Sequence, residues 1–257
     1  MKNLFQSCII AFSMYSRLPV PTITWTKSNM LYTLCFFPFI GIVIAFTLYG
    51  WFMLTMHYPI NNILTAAVAT MLPILLTGGI HLDGFCDTFD ALASNGSKEK
   101  KQQILKDPHI GTFAVVATVL YLLLTFALWT QYVFDFKSCI IIGLGYFLSR
   151  TLSGLSLVSL RRARADGLVA TFSGMAKKKP VFITLLALAF LCSATILFID
   201  FVVGTVVLAS AAIAYLYYVH IAYDKFGGIS GDLAGFFVQQ CEIFILLSVI
   251  IYQLLKQ

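Results

Sequence analysis

The chain has 257 residues, of which 60% are hydrophobic and 11% are charged, and its mean hydropathy is +0.90. A water-facing globular surface needs more charge than this, so the composition excludes a soluble protein and predicts an integral membrane protein. We interpret the formal net charge of +6 mainly as a topology signal and expect no nucleic-acid partner. A basic face would also attract anionic membrane lipids and phosphorylated substrates.

The N-terminal segment, residues 3 to 15, is apolar but too short to cross a bilayer, and the prolines of YSRLPVP would stop a helix after it. No signal-peptide cleavage site follows, so we expect the segment to stay on the chain and to lie at the interface or re-enter. The cysteines show no C-x-x-C pair and no histidine at metal-ligand spacing, which argues against a zinc site or a disulfide framework. They are Cys8, Cys35, Cys86, Cys139, Cys192 and Cys241.

Seven apolar runs are each close to the roughly 20 residues that a transmembrane helix needs. Their approximate spans are 31 to 56, 60 to 80, 112 to 134, 138 to 160, 180 to 199, 201 to 223 and 237 to 255. Neither an internal repeat nor a soluble domain is evident. The sequence therefore predicts an all-α, polytopic membrane helix bundle of about seven transmembrane helices, forming a single domain over residues 1–257.

Lysine and arginine mark the cytoplasmic side of a membrane protein, and fifteen of the seventeen fall at one end of the predicted bundle. They lie in residues 1–30, in the loops 81–111, 161–179 and 224–236, and at Arg150 near the inner end of the fourth span. Only Lys137 and Lys256 lie at the other end. This predicts a multi-pass protein of the cell membrane with a cytoplasmic N-terminus. Most acids share the basic end, so we expect one polar site on the cytoplasmic side.

The stretch TGGIHLDGFCDTFDAL, residues 77–92, brings three aspartates close together. On a helix, Asp83, Asp87 and Asp90 fall on one face, with neighbours roughly 5 to 6 Å apart. Each would cost about 2.5 to 3.5 kcal/mol at mid-membrane, and their like charges repel one another. A divalent cation would relieve both penalties, and these hard oxygen ligands suit Mg²⁺ or Mn²⁺ completed by substrate phosphates.

The alternative for this cluster is a solvated first turn of a cytoplasmic loop, which needs no ligand. Glycines before and within it leave room for close approach to a ligand. Apolar residues between the aspartates indicate a helix packed against others. His81, which precedes the cluster, could contact phosphate or a proton, or could simply lie at the membrane interface.

Three more polar residues are candidates for the site. Asp107 precedes Pro108 in LKDPHIGTF, an arrangement typical of a helix N-cap, and a functional role is the alternative. Arg150 lies inside an apolar span, where it should face a cavity or a partner, and its forked donors would suit phosphate. Asp166, in RRARADGL, could be structural or a ligand.

The stretch YDKFGGISGDLAGF, residues 223–236, leads into the last predicted span. Its candidate residues are Gly227, Gly228, Ser230, Gly231 and Asp232. The pattern resembles a close-approach loop whose free N–H groups could receive phosphate, and the alternative is a plain turn with Asp232 as a helix cap. Glu242, about two turns into the last span, is costly there and should be paired or functional.

At these motifs the chain resembles the cobalamin synthase family, that is adenosylcobinamide-GDP ribazoletransferase. The family's glycine pair and H-L-D-G-x-x-D-T-x-D appear as GGIHLDGFCDTFD, and nearly the full length agrees in order. The shorter matching motifs are YSRLPVP, KDPHIGTF, the Ser149–Arg150 pair, RADGL and GGISGDLAG. Ala91, Ser230 and Gln239 depart from the family's glycine, threonine and acid. Gln239 puts a metal-ligand role at its position in doubt, whereas Glu242 still matches.

The resemblance implies a Mg²⁺-dependent reaction. A hydroxyl of α-ribazole, or of its 5′-phosphate, attacks the cobinamide-side phosphorus of adenosylcobinamide-GDP, and GMP leaves. Asp83, Asp87 and Asp90 would bind one or two Mg²⁺ that bridge the diphosphate. One of them, or Asp232, would take the hydroxyl proton. Phosphate contacts are expected from Arg150 and from the 227–235 loop.

The nearest alternative is another membrane transferase that acts on a diphosphate. A CDP-alcohol phosphotransferase would need D-G-x-x-A-R followed by G-x-x-x-D-x-x-x-D, of which only the opening is present. An aromatic prenyltransferase would show two separated aspartate-rich motifs. An ion-coupled transporter would show matching broken segments in inverted halves, and the second half has no counterpart to the cluster. The sequence leaves the oligomeric state open, with a homo-oligomer among the options.

Overall fold

The computed structural model describes residues 2–163 and 174–256, and every regular element in this part of the chain is a helix. Its ten helices are α1 (Lys2–Tyr15), α2 (Thr33–His57), α3 (Asn62–Thr77), α4 (Ile80–Ala93), α5 (Lys98–Ile104), α6 (Thr112–Gln131), α7 (Phe136–Ser159), α8 (Lys178–Ile199), α9 (Phe201–Phe226) and α10 (Gly231–Leu255). The prediction of an all-α helix bundle is confirmed.

Six helices are long and apolar enough to cross a membrane, namely α2, α6, α7, α8, α9 and α10. They have 20 to 26 residues, which at the α-helical rise corresponds to about 30 to 39 Å and matches a hydrocarbon core of about 30 Å. The bent pair α3 and α4 would be the seventh span. The last helix begins at Gly231, six residues before the predicted start, and this places Asp232 in its first turn.

The predicted span 60 to 80 is not one straight helix. The α3 helix ends at Thr77, and α4 begins at Ile80 at an angle of 94° to it. Gly78 and Gly79 between them have φ values of 66° and 76°, a left-handed conformation that glycine adopts without the penalty of a side chain. The α4 helix, which carries the three aspartates, therefore turns away from the direction of α3.

The predicted short N-terminal segment is the 14-residue helix α1. It ends at Tyr15, immediately before the proline-containing stretch, as expected. The backbone N–H of Arg17 then donates to the carbonyl of Leu76, at 2.8 Å. This hydrogen bond ties the segment after α1 to the last turn of α3.

The centre of the bundle depends on small residues that let helices approach closely. A Cβ added to Gly41 of α2 would overlap the backbone of Tyr146 in α7. A Cβ added to Gly143 of α7 would lie 2.7 Å from the Cβ of Ala45 in α2. Such contacts replace the hydrophobic driving force, which is weak between helices surrounded by lipid. All six cysteines are free, in agreement with the sequence.

The loops assigned to alternate ends of the bundle do meet in two groups. At one end, the N–H of Ile229 donates to the carbonyl of Arg161 at 2.9 Å, and the amide of Gln102 in α5 donates to the carbonyl of Phe226 at 2.7 Å. At the other end, the side-chain amide of Gln253 donates to the carbonyl of Val133 at 2.8 Å. The side of the membrane that each end faces stays a prediction from the basic residues.

Candidate active site

Two glycines bring α4 against the start of α10. A Cβ added to Gly84 would lie 2.6 Å from the carbonyl oxygen of Asp232 and 2.8 Å from its Cα. A Cβ added to Gly235 would lie 3.1 Å from the carbonyl oxygen of His81. Only residues without side chains permit so close a crossing. Asp232, about 140 residues further along the chain, is thereby placed beside the aspartate-bearing helix.

The four acidic side chains at this crossing form one electrostatic group, here called the carboxylate cluster (Asp83, Asp87, Asp90 and Asp232). Asp83 is exposed, and the other three are partly buried. Asp87 lies within the Coulomb fields of all three others, with Asp83 acting most strongly. The prediction that the three aspartates share one helix face is confirmed, and the structure adds Asp232 to them. Their metal-binding and catalytic roles stay predictions.

The carboxylate of Asp90 lies directly against the backbone of Gly111. A Cβ on Gly111 would overlap both carboxylate oxygens. Gly111 is also the N-cap residue of α6, and no side chain caps that helix. The Asp90 carboxylate therefore lies at the start of α6, where the positive end of the helix dipole favours negative charge.

The prediction that Asp107 caps the third span is wrong. The α6 helix begins at Thr112, five residues after Asp107. The Oδ1 atom of Asp107 instead accepts the backbone N–H of His109 at 3.0 Å and lies 2.7 Å from its ring Nδ1. These hydrogen bonds, with the backbone one contributing most, lower the pKa of Asp107. Asp107 and Pro108 therefore belong to the loop that precedes α6.

Ser230, rather than Asp232, caps α10. Its hydroxyl accepts the N–H of Leu233 at 3.2 Å and donates to Oδ2 of Asp232 at 3.3 Å. The alternative interpretation of Asp232 as a helix cap is therefore wrong. Ser230 connects the helix start to the carboxylate cluster by holding the Asp232 side chain.

The glycine loop before α10 uses its N–H groups within the fold. Gly227 and Gly228 have φ values of 76° and 154°. The N–H of Gly228 donates to the carbonyl of Ala222 at 2.9 Å, and that of Ile229 to Arg161 at 2.9 Å. The expectation that the N–H groups of this loop are free to receive phosphate is therefore wrong for Gly228 and Ile229. Phosphate binding by Gly227, Gly228, Ser230 or Gly231 stays a prediction without that argument.

Arg150 has the buried partner that its position in an apolar span requires. It is fully buried, and its Nη1 lies 2.5 Å from Oε1 of Glu242 in α10 and 2.9 Å from the carbonyl of Tyr146. The Ser149 hydroxyl donates to the same Glu242 oxygen at 3.2 Å. The separate expectations that Arg150 faces a cavity or a partner and that Glu242 is paired or functional are met, and the structure shows that the two residues pair with each other. The charge of Arg150 is thus already balanced inside the bundle. A phosphate contact by Arg150 stays a prediction.

His81 lies among aromatic rings. It is 4% exposed, with its ring centroid 5.6 Å from that of Phe37 and 6.3 Å from that of Tyr15. Its Nε2 atom has no hydrogen-bond partner among the described residues. This environment favours a packing role, and a substrate contact stays a prediction. Asp166, the remaining candidate, lies outside the described residues.

The buried lysine of α5 binds the C-terminal end of α4. Lys101 of α5 is buried, and its ammonium donates to the carbonyls of Ala91 at 2.9 Å and Leu92 at 3.3 Å, and also to that of Ser94. It thus closes the C-terminus of α4, where a positive charge is favourable. Lys101 was not singled out from the sequence, because a lysine in a basic loop looks like a topology signal.

The donor set fits a metal that shares its coordination with a substrate. Asp83, Asp87 and Asp90 take no part in any ion pair among residues 2–163 and 174–256. No three acid, histidine or cysteine side chains in those ranges are grouped to hold a metal by themselves. Magnesium in proteins is usually held by one or two carboxylates, with waters and phosphate oxygens completing the shell. The cluster suits that mode of binding.

Arg17, from YSRLPVP, is a residue near the site that the sequence analysis counted only as a basic residue. Its side chain lies over Gly78 at the break between α3 and α4, where a Cβ would overlap its Nε. It is exposed, and Asp83 follows one helical turn after Gly79, whose carbonyl accepts the Asp83 N–H at 2.8 Å. The signal available in the sequence was an arginine inside a motif shared with the family.

Comparisons with known proteins show the family of this chain. The family model described as cobalamin-5-phosphate synthase matches residues 7–250. An adenosylcobinamide-GDP ribazoletransferase from Lachnoclostridium phytofermentans is 42% identical over 242 residues, covering 94% of this chain and 92% of that protein. Proteins of the same name from Treponema denticola and Clostridium botulinum strain Alaska E43 are 31% and 29% identical, covering 93% and 98% of this chain and 95% and 100% of their own lengths. No solved structure matches. The chain belongs to the cobalamin-5-phosphate synthase family.

Proposed function

We propose that this protein is the transferase that joins adenosylcobinamide-GDP to α-ribazole, or to α-ribazole 5′-phosphate, in the final assembly step of cobalamin. The products are adenosylcobalamin, or its 5′-phosphate, and GMP. The observation that carries the proposal is the carboxylate cluster, in which four acids from two distant parts of the chain lie together. Among the described residues, no ion pair balances the charge of Asp83, Asp87 or Asp90. Membership of the family supplies the substrates.

The reaction is a substitution at phosphorus. The ribazole hydroxyl oxygen forms a bond to the phosphorus nearest the cobinamide, and the bond from that phosphorus to the GMP phosphate breaks. The hydroxyl proton passes to a base, and GMP carries away the bridging oxygen. Such a reaction depends mainly on holding the two ends in line and on neutralising the diphosphate charge.

Asp83, Asp87 and Asp90 are the residues that would hold Mg²⁺. When bound, the metal supplies charge neutralisation at the diphosphate and at the departing GMP. The one exposed and two partly buried carboxylates leave room for phosphate oxygens and waters in the coordination shell. Asp232 is held by the Ser230 hydroxyl and faces α4 across the glycine crossing. It would orient the same region of the substrate.

Arg17 is a second candidate for a phosphate contact, beside Arg150, which is buried and paired with Glu242. The Arg17 guanidinium is exposed at the α3–α4 break and has no acidic partner among the described residues. The guanidinium offers a planar fork of N–H donors at that position, and this suits a phosphate lying between Arg17 and Asp83. Arg17 is therefore a candidate for a direct contact with the substrate diphosphate.

The location of the reaction follows from the distribution of charge. Fifteen of the seventeen basic residues belong to segments that the sequence assigns to one end of the bundle, and from the positive-inside rule we infer that this end, with the cluster, faces the cytoplasm. Anionic lipid would be concentrated there. A bulky amphiphilic corrinoid would be retained at this boundary while its nucleotide end reaches the aspartates.

The test uses the full chain, purified in detergent and reconstituted in lipid. It is incubated with adenosylcobinamide-GDP, Mg²⁺ and either α-ribazole or its 5′-phosphate, and GMP and the completed corrinoid are measured. We expect both products in equal amounts, and chelation by EDTA should abolish turnover until Mg²⁺ is restored. Absence of product with substrates that a relative converts, together with ion flux in the same vesicles, would contradict the proposal.

A further inference from the structure

The loop before α6 holds an ordered histidine–aspartate pair. The Oδ1 atom of Asp107 accepts the backbone N–H of His109 at 3.0 Å and lies 2.7 Å from the ring Nδ1 of the same residue. Two hydrogen bonds to one carboxylate orient the ring and favour the tautomer that carries its proton on Nδ1. The other nitrogen, Nε2, then has a lone pair that can accept a proton.

The pair is close along the chain to a residue that contacts the carboxylate cluster. His109 is two residues before Gly111, and a chain of two residues spans at most about 7 Å. Gly111 in turn lies against the carboxylate of Asp90. The His109 side chain is 89% exposed, and no contact other than that with Asp107 uses its ring within the described chain. The fold therefore presents an imidazole to solvent from a position two residues before the glycine that contacts Asp90.

The carboxylates are poor candidates for the proton acceptor. An aspartate that binds a divalent cation is stabilised as the anion and loses basicity, which applies to Asp83, Asp87 and Asp90 in the proposed function. Asp232 already accepts a hydrogen bond from Ser230. The reaction needs a base near neutral pH, and imidazole is the side chain that provides one.

The other histidines lack this arrangement. His57 packs edge to face on Tyr58 at the end of α2, and His81 is buried between Tyr15 and Phe37. His220 is exposed on α9 near Asp224, but Asp224 pairs with Lys225 at 2.8 Å. Its exposure and its neighbouring aspartate make His220 a matched control for His109.

We propose that His109, oriented by Asp107, is the general base that accepts the proton of the attacking hydroxyl. This inference rests on the proposed function. As the ribazole oxygen bonds to phosphorus and the bond to GMP breaks, the hydroxyl proton moves to Nε2 of His109. The resulting imidazolium is stabilised by the ionised Asp107 and releases the proton to water after GMP leaves. His109 is a catalytic residue in this scheme, and Asp107 is a positioning residue.

The test compares four variants of the full-length protein in the same assay. Since general base catalysis typically contributes about 10²- to 10⁴-fold, we expect H109A to lose at least about 100-fold in kcat. H109N can still donate a hydrogen bond to Asp107 but has no basic nitrogen, and we expect it to be as slow as H109A. D107N should lose at least about 10-fold in kcat, with little change in KM. H220A should retain wild-type activity.

Added imidazole separates catalysis from structure. We expect imidazole to restore H109A activity in a concentration-dependent way, while leaving H220A and the wild type unchanged. H109N activity within about threefold of the wild type would overturn the inference, because it would show that only the hydrogen bond to Asp107 matters. If imidazole does not restore the activity of H109A, and H109A also unfolds at a lower temperature than the wild type, the inference is overturned as well. A wild-type protein that makes no GMP would instead reject the proposed function.

Discussion

The two ends of the bundle use aspartate in different ways. At the end away from the cluster, Asp135 accepts the N–H of Ser138 at 2.9 Å, and Asp200 accepts those of Val202 and Val203 at 3.0 and 3.1 Å. Both are helix caps, and the backbone satisfies their charge. In the cluster, Asp83 and Asp87 lie inside a helix and face other acids.

The difference separates structural acids from functional ones by their partners. An acid that caps a helix stabilises the fold whether or not a ligand is present. Acids that repel one another destabilise it unless a cation arrives. Cation binding in the proposed function would relieve this repulsion, and four substitutions test the contrast between the two ends.

The largest effect is expected for Asp87→Asn, because Asp87 lies in the fields of the other three acids. Turnover should fall on the order of 10³-fold, which corresponds to about 4 kcal/mol of transition-state stabilisation. Thermal stability should stay the same or rise, since repulsion is relieved. The measurement is GMP release. The control is Asp224→Asn, an exposed acid paired with Lys225, which should leave turnover intact, and normal turnover in Asp87→Asn would remove it from the metal shell.

Removal of the buried acid Glu242 should act on stability instead. Glu242→Leu leaves the charge of Arg150 buried without its partner and should lower the free energy of unfolding by about 3 to 5 kcal/mol. The measurement is denaturant unfolding in mixed micelles. A double variant, Arg150→Met with Glu242→Leu, should recover most of the loss. A single variant as stable as the wild type would show that the ion pair is not needed.

A smaller effect on activity is expected where α6 supports the cluster. In Gly111→Ala the new methyl group would overlap the carboxylate of Asp90 and displace it. A misplacement of about 1 Å can cost about 10²-fold, so we expect a 10- to 100-fold fall in kcat. Gly50→Ala in α2 is the control, since a Cβ there meets nothing within 4 Å. Equal activity of the two variants would contradict the placement of Asp90 against α6.

The smallest effect is expected at the opposite end. Asp200→Ala removes the cap of α9 and should reduce the free energy of unfolding by about 1 kcal/mol, with turnover unchanged. Asp200→Ser, which retains a capping oxygen, should lose less. A fall in turnover as large as that of Asp87→Asn would erase the contrast between the two ends.

The chain's local patterns predicted most of the fold. Apolar runs located the six long membrane helices to within about three residues, except for the start of the last one, because hydropathy and helix length are local properties. The pattern failed at the span 60 to 80, because the 94° bend depends on two left-handed glycines that hydropathy does not register. It also misplaced the cap of α6 at Asp107, because an Asx-type turn and a helix cap share the same first residues.

The candidate site was predicted in its chemistry but not in its assembly. Helical spacing placed Asp83, Asp87 and Asp90 on one face, since neighbours at i and i+4 are set by the helix alone. The partner of Arg150 and the role of Lys101 depend on which helices meet. His109 was not singled out, although it stands in the family motif KDPHIGTF, because its contact with Asp107 is visible only in the structure.

Sequence by itself determined that this protein is a bundle of membrane helices and that Asp83, Asp87 and Asp90 share one helix face. These follow from transfer free energy and from helical periodicity, which act within about 20 residues. Only the tertiary structure decided that Asp232 joins the three aspartates and that Gly111 abuts Asp90. Those contacts depend on the backbone angles at Gly78 and Gly79 and on the clearance that Gly84 and Gly235 leave between helices.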